Sequence, residues 1–277
     1  MRVLLAGHVT LDRHGADRLP GGSAYYAGRA ARALGAEVRL LTAAGPDFPP
    51  SALDGLEARI LPAERTTSFT NVHGRDGVRR QRVDGPPLPR LDPAALLAGW
   101  RETDLLHLGP VLGELDLAAW RAAVSARFVG LQIQGWVRRV DPDGTVSPAP
   151  FDAGDLTGVA AVVLGDDEAR FDPGLPARLA AQVPVVAFTH AEEGCEVLHR
   201  GRVARVGVFR TVEVDPTGAG DVFSAAFFLA LARGEDPVEA AQLGAAAASI
   251  VVEGRAGATL DRIGAATARA LGITALD

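Results

Sequence analysis

From Pro93 onward, short apolar runs and helical patterns alternate along this chain with only brief loops between them. Asp104–Leu108, Phe128–Gln132, Val159–Leu164 and Pro184–Thr189 read as strands. Pro93–Arg101, with Asp92 as its N-cap, Leu117–Ala126 and Leu175–Gln182 read as the helices between them. Few folds satisfy such alternation. Parallel neighbours need a crossover, the crossover is usually a helix, and helices then cover both faces of the sheet. The N-terminal part fits the same scheme. Arg2–Gly7 is a strand, Gly21-Gly22-Ser23 a turn, Ala24–Leu34 a helix stopped by Gly35, and Glu37–Ala43 the next strand. Near the C-terminus, Val197–His199 and Gly201–Val206 form a hairpin pattern, followed by a β-like run over Val206–Val214. Val222–Arg233 is a strongly apolar helix with Gly234 past its end, Pro237–Glu253 is an Ala-rich one, and Ala265–Leu271 closes the chain.

Thr66–Val83 departs from this rhythm. It is polar and reads as a hairpin with Asp76-Gly77 at the turn, so one of its faces is expected to lie in water or over a ligand. The expected architecture is an α/β protein with a mostly parallel sheet between helical layers and a small β lid standing apart. No internal repeat or long linker divides the 277 residues, so one domain with a lid is the simplest count.

Chemistry concentrates in Asp215-Pro216-Thr217-Gly218-Ala219-Gly220-Asp221, between the β-like run and the apolar helix. Two glycines allow a sharp turn and a close backbone approach to a ligand. The unpaired N–H groups of a helix start, with its dipole, attract an anion. Asp221 sits where a carboxylate is electrostatically unwelcome, which suits a base that takes the proton of an attacking hydroxyl. Phosphoryl transfer to an alcohol is the chemistry this arrangement suggests. On the glycines alone, a structural turn with a capping Asp is the simpler account.

Other classes are poorly served. The net charge is −6 with no basic block, so nucleic acid is not an expected partner. No apolar run reaches the ~18 residues of a membrane span, and the N-terminal strand is too short for a signal peptide. A cytoplasmic location is the default expectation. The single cysteine, Cys195, excludes an internal disulfide and a structural zinc cluster. All 28 basic residues are arginine. The absence of lysine removes Schiff-base chemistry and a Walker A loop. The six histidines are scattered without metal-ligand spacing, no Gly-x-Ser-x-Gly elbow is present, and no Gly-x-Gly-x-x-Gly follows the first strand.

The full string Asp215–Asp221 resembles the signature of the ribokinase-like carbohydrate kinases (PfkB type), with Pro216 in place of a Thr. The resemblance extends over nearly the whole chain. It implies a three-layer α/β/α sandwich with a central mostly parallel sheet and a lid, contributed here by about residues 11–20 and 66–84. It implies ATP as donor, Mg²⁺ bridging its phosphates, Asp221 as base, and the backbone of Gly218, Ala219 and Gly220 as an anion hole. A small sugar or polyol is the implied partner, and dimerisation through the lid would cover its exposed edge. Gly7–Asp12 resembles the family's Gly-Asn-x-x-x-Asp start and Gly21-Gly22 its following pair, so Asp12, Gly21 and Gly22 are implied acceptor contacts. Taken alone, Asp12 would read as a solvated loop carboxylate. His8 and Tyr26 depart from the Asn common at both positions, which points to a different acceptor pocket from that of ribokinase.

The Thr-x-Phe-x-Asn-Val start of the lid (Thr67–Val72) and the Gln-Gly-x-x-Arg segment from Gln134 to Arg138 are most similar to inositol-kinase-like and uncharacterised sugar-kinase members. Gln134 and Arg138 are thus candidate acceptor residues, against the plainer reading of a polar loop packed by Trp136. Gly165–Glu168 is similar to the family's Asn-x-x-Glu, which makes Glu168, and less directly Asp166, candidates for a water-mediated Mg²⁺ contact; an acidic helix start explains them equally well. Thr189–Gly194 is similar to a Thr-x-Gly-x-x-Gly nucleotide loop without its central glycine, leaving Thr189 and Gly194 on the nucleotide side with Thr217, Gly218 and Gly220. Gly257 falls where the family lines the adenine and, in some members, a monovalent cation. A nucleoside acceptor stacked on Tyr25 or Tyr26, and a non-catalytic sugar or nucleotide sensor, are the alternatives to a sugar or cyclitol kinase.

Overall fold

A computed structural model describes residues 1–14, 17–73, 79–85, 88–151, 154–272 and 275–276. The expected turn at Asp76-Gly77 lies outside the described residues. In chain order the first half holds β1 (Arg2–Ala6), β2 (Thr10–His14), β3 (Asp17–Gly21), α1 (Ser23–Ala33), β4 (Glu37–Ala44), β5 (Glu57–Pro62), β6 (Ser68–His73), β7 (Arg79–Asp84), β8 (Glu102–Leu108), α2 (Leu117–Ala123) and β9 (Ser125–Gln132). The second half holds β10 (Arg138–Val140), β11 (Val146–Pro148), β12 (Ala161–Gly165), α3 (Asp166–Ala169), α4 (Leu175–Ala180), β13 (Val185–Thr189), β14 (Cys195–His199) and β15 (Arg202–Val206). It ends with α5 (Ala219–Arg233), α6 (Pro237–Val251), α7 (Ala266–Ala270) and β16 (Ala275–Leu276).

Ten strands form one sheet in the order β16-β15-β14-β13-β12-β9-β8-β1-β4-β5. The seven from β13 to β5 run parallel, and the other three pair antiparallel. Side-chain alternation splits the core in two. Val3, Leu5, Leu105 and Val163 face the layer of α1, α5 and α6, while Leu4, Ala6, Leu106 and Val162 face Trp100, Trp120 and the α2 and α4 side. Both tryptophans are fully buried, and each indole N–H finds an acceptor: Trp100 Nε1 donates to Glu57 Oε1 (3.2 Å) and Trp120 Nε1 to the Leu91 carbonyl (2.9 Å). Helix α5 has little amphipathic contrast because it is covered on most sides by the sheet, α1 and α6. This is the expected three-layer α/β/α architecture.

A separate four-stranded sheet, ordered β3-β2-β6-β7, is the lid. Strands β2 and β3 pair antiparallel, as do β6 and β7, and β2 meets β6 in parallel at Leu11–Ser68 and Asp12–Phe69. The hairpin β10–β11 joins it through the Val83 N–H, which donates to the Gly144 carbonyl at 2.9 Å.

Thr10–His14 is a lid strand and carries Asp12. Two expected elements differ. Pro93–Arg101 is helical only as a 3₁₀ turn over Pro93–Ala95; Asp92 does cap it, but Leu96 turns extended at ψ 142° and ends it. The β-like run Val206–Val214 ends its ladder at Val206. Beyond that point Val212 and Val214 are 78% and 60% exposed, and the Val214 and Asp215 amides donate to the Val252 carbonyl beyond α6. That tether replaces a sheet ladder and fixes where the following turn lies.

Candidate active site

The parallel strands β1, β8, β9 and β12 all end at one side of the sheet, where ligands bind in open α/β folds. A cavity of about 480 Å³ lies there, roofed by the lid. It brings together Asp12, Gly22, Gln134, Arg138, Glu168 and the whole Pro216–Asp221 turn. Gly21 is not on its wall but supports Asp12, since a Cβ there would collide with the Asp12 carboxylate.

The turn is built by fixed geometry. Gly218 has φ 85°, and a Cβ would run into the Tyr26 ring beneath it, so only glycine fits. Asp215 holds the turn in place: its Oδ1 accepts from the Thr217 amide and its Oδ2 from the Ala256 amide, both at 3.0 Å. The Ala219 amide turns back to the Pro216 carbonyl (3.1 Å) and so does not face an anion, contrary to expectation. The amides of Gly218, Gly220 and Asp221 have no such partner among the described hydrogen bonds, which fits the orphan donors of a helix start.

Asp221 follows on the first turn of α5. Gln132, at the end of β9, donates from Nε2 to Asp221 Oδ1 at 2.6 Å. Burial pushes the Asp221 carboxyl up to about 6, a shift that the Gln132 hydrogen bond and Arg138 oppose and that Asp12 and Glu168 reinforce. Tyr26 lines the same space; its hydroxyl is raised by burial and by Asp12, Asp215, Tyr25 and Asp221 together, so it stays a neutral donor. Tyr25 meets Tyr26 edge-on at 5.0 Å and packs against Gly257, away from the cavity wall.

On the opposite wall Glu168 is fully engaged. Its Oε2 accepts from the Gly165 amide (2.7 Å), while its Oε1 accepts from Gln134 Nε2 (3.2 Å) and lies 3.9 Å from Arg138 Nη2. Asp166 points elsewhere and pairs with His190 Nδ1 at 2.8 Å; Asp167 lines the cavity in its stead. Among the described residues no three His, Cys, Asp or Glu side chains converge on a metal position. These acidic groups do not form an inner cage for Mg²⁺.

Of the expected nucleotide-side residues, Thr217, Gly218 and Gly220 line the cavity, whereas Thr189, Gly194 and Gly257 fall outside its wall. The Thr189 hydroxyl donates to the Leu164 carbonyl (3.3 Å), Gly194 (φ 99°) permits the backbone to pass close to Val206, and Gly257 (φ 77°) makes room for Leu260 and Tyr25. Their glycines are needed for packing. Sequence reasoning missed Gln132, Arg170 and Phe171, which line the cavity, and Glu114 beside it. Glu114 is buried and accepts from the amides of His8 (3.1 Å), Val111 (2.8 Å) and Leu112 (2.8 Å), so it fixes the loops after β1 and β8. Gln132 could have been found from strand parity, since it follows Phe128 and Gly130 on the face that meets α5.

Comparison with known proteins finds relatives of the same fold. The family described as pfkB family carbohydrate kinase matches residues 146–262. The chain is 28% identical over 290 residues to the bifunctional protein HldE of Caulobacter sp. (strain K31), covering 90% of this chain and 59% of that one. It is 31% identical over 235 residues to inositol 3-kinase of Oryza sativa subsp. japonica, covering 78% and 57%. It thus spans under two thirds of the length of both relatives. Among solved structures, a pyrophosphate-dependent myo-inositol-1 kinase converted by mutation into a myo-inositol-3 kinase superposes with a TM-score of 0.78 at 19% identity, covering 96% of this chain and 98% of that one.

Proposed function

We propose that the chain, which matches the pfkB family carbohydrate kinases over residues 146–262, is a ribokinase-like kinase that transfers a phosphoryl group from ATP to a hydroxyl of a small sugar or cyclitol such as inositol. The observation that carries this reading is Asp221. It is a buried carboxylate poised near neutrality, on the first turn of a helix beside the Gly218 and Gly220 amides, which have no partner among the described hydrogen bonds, in a cavity lined by hydroxyl and amide side chains. With Oδ1 held by Gln132, Oδ2 takes the proton from the acceptor hydroxyl. The alkoxide-like oxygen attacks the terminal phosphorus, the bond from that phosphorus to the bridging oxygen breaks so that ADP leaves, and the amides of Gly218 and Gly220 receive the charge on the transferred group. Arg138 and Arg170 line the same space and add positive charge. Asp12, from the lid, and Gln134 hold the acceptor's other hydroxyls. Lid closure excludes water and limits donor hydrolysis.

One observation favours a second donor. Thr189, Gly194 and Gly257 are absent from the cavity wall, so a donor needing only the Gly218–Asp221 turn and the arginines would fit. Pyrophosphate is such a donor, and the structural relative is described as pyrophosphate-dependent. The deciding experiment incubates the protein and Mg²⁺ with ATP or pyrophosphate against hexoses, pentoses, inositols and nucleosides, with Asp221→Asn as control. Asp221-dependent phosphorylation of an inositol or sugar supports the reading. Turnover confined to nucleosides, or tight ligand binding without transfer, overturns it.

A further inference from the structure

Beneath Asp221 lies a second polar side chain for which the reaction above has no use. His107 is on β8, buried at 1% exposure within the face that packs on α5. The β8–β9 register pairs His107 with Gly130, so Gln132 is its diagonal neighbour on the same face. The space a side chain at 130 would take is filled by Phe228, whose ring a Cβ at 130 would approach to 2.6 Å. Phe228 also packs edge-on against His107, with centroids 5.0 Å apart and planes at 90°. Asp221 and Phe228 are seven residues apart on α5, which puts them on one face, two turns apart. The helix thus meets Gln132 with its first turn and His107 with its third.

The polar groups of this strip are nearly all accounted for. Gln132 Nε2 is spent on Asp221 Oδ1. Two buried atoms remain without a completed hydrogen bond, Gln132 Oε1 and His107 Nε2. They belong to neighbouring side chains, and the nearness of the Gln132 amide opposes the effect of burial on the His107 ring. Burial still carries that ring down to about 3, so it is neutral and has one N–H to give. A glutamine amide beside an ionised carboxylate must present its NH₂, because its oxygen would repel. An amide can rotate by half a turn, so something must fix which end faces Asp221. A donor at His107 Nε2 does so by occupying the oxygen end.

We propose that His107 and Gln132 are positioning residues that act in series on the catalytic base: His107 Nε2–H holds Gln132 Oε1, and Gln132 Nε2–H₂ then holds Asp221 Oδ1, leaving Oδ2 aimed at the acceptor. Neither touches the acceptor's reacting oxygen. The pair keeps one carboxylate oxygen occupied and lets the ionised form survive where burial opposes it. The other groups acting on Asp221 are Arg138, which favours its ionised form, and Asp12 and Glu168, which oppose it. Tyr26 also faces it as a neutral hydroxyl.

The role of Asp221 as a base rests on the proposed kinase reading, so the test has a readout that needs no turnover. ¹³C NMR follows the Asp221 carboxyl titration in the wild type, Gln132→Leu and His107→Phe, alongside kcat/KM against pH. Gln132→Leu is expected to raise the carboxyl titration by about one pH unit or more, the loss of one hydrogen bond to a charged group. The acid limb of kcat/KM should move with it, while KM for the acceptor changes less than twofold. His107→Phe keeps the aromatic contact with Phe228 and should move both curves the same way by a smaller amount. Carboxyl titrations that coincide in all three proteins overturn the proposal. Should Gln132→Leu fail to fold, the wild type alone decides through ¹⁵N NMR of His107: the Nε2–H tautomer is required, and the Nδ1–H tautomer refutes the series. Shifted titrations in a protein that phosphorylates nothing would sink the kinase reading and leave the tuning of Asp221 standing.

Discussion

Replacing Asp221 with Asn should make the protein more stable as it destroys its activity, and the gain should depend on pH in one direction. Burial raises the Asp221 carboxyl from 3.8 in a free chain to about 6 in the fold. The folded state therefore holds this proton more tightly than the unfolded state does. The associated stability is fully present below about pH 4 and is lost as pH rises through about 6. The difference of roughly two units corresponds to ~3 kcal/mol at 1.36 kcal/mol per unit. Solvent in the cavity and the weaker bond that an amide makes with Gln132 reduce the expected gain to about 1–3 kcal/mol. Urea unfolding of wild type and Asp221→Asn, measured side by side from pH 4.5 to 8.5, reads it directly. Asp47, Asp104 and Glu253, whose carboxyls are held low by their partners, lose stability as pH falls, but equally in both proteins. The variant's advantage should be about a third of its full value at pH 4.5 and reach that full value by about pH 7. An advantage that is constant across the range would assign the effect to packing, and a variant less stable at pH 8 would refute the desolvation argument. Turnover should drop by 10²–10⁴-fold, the usual share of a general base.

Gly218→Ala should lower turnover by at least tenfold and stability by about 1–3 kcal/mol, since the site combines φ 85° with a collision against Tyr26; kinetics and thermal unfolding together check it. Glu114→Gln puts an NH₂ among three backbone amides that now share two carboxylate oxygens. A loss of about 2–4 kcal/mol in urea unfolding is expected, and a loss below 0.5 kcal/mol would contradict it. Arg138→Gln removes the cation that favours ionised Asp221. The acid limb of kcat/KM should therefore move to higher pH and the donor KM rise, both read from a pH series of initial rates.

Most of the sheet and the two long C-terminal helices were legible because burial on both faces leaves apolar runs that nothing else explains. Asp215–Asp221 was legible because it combines turn glycines, a helix start and a carboxylate within seven residues. Errors fell where local pattern met tertiary tethers. Val206–Val214 alternates like a strand, but Val214 and Asp215 bond to the end of α6. Pro93–Arg101 begins with a sound cap, yet Leu96 already takes an extended ψ and the turn stops early. Gly194 and Gly257 were expected on the nucleotide side, but what they make room for is protein: Val206 at the first, Leu260 and Tyr25 at the second.

Gln132 escaped for a different reason, and that reason bears on how the site works. A base near a phosphate cradle must stay ionised in a place that resists charge. A nearby cation can relieve this, and Arg138 does so in part, but a cation also competes for the donor's negative oxygens. A neutral amide donor stabilises the carboxylate without entering that competition. It need not be close in sequence, because adjacent parallel strands bring their ends together from far apart: Gln132 and Asp221 are 89 residues apart. No short motif can encode such a contact. What the sequence does carry is the parity of β9, on which Phe128, Gly130 and Gln132 share a face, and a glycine at 130 where a strand interior would otherwise prefer a β-branched residue. That glycine admits Phe228, Phe228 seats α5, and the seating of α5 sets the height at which Asp221 meets Gln132.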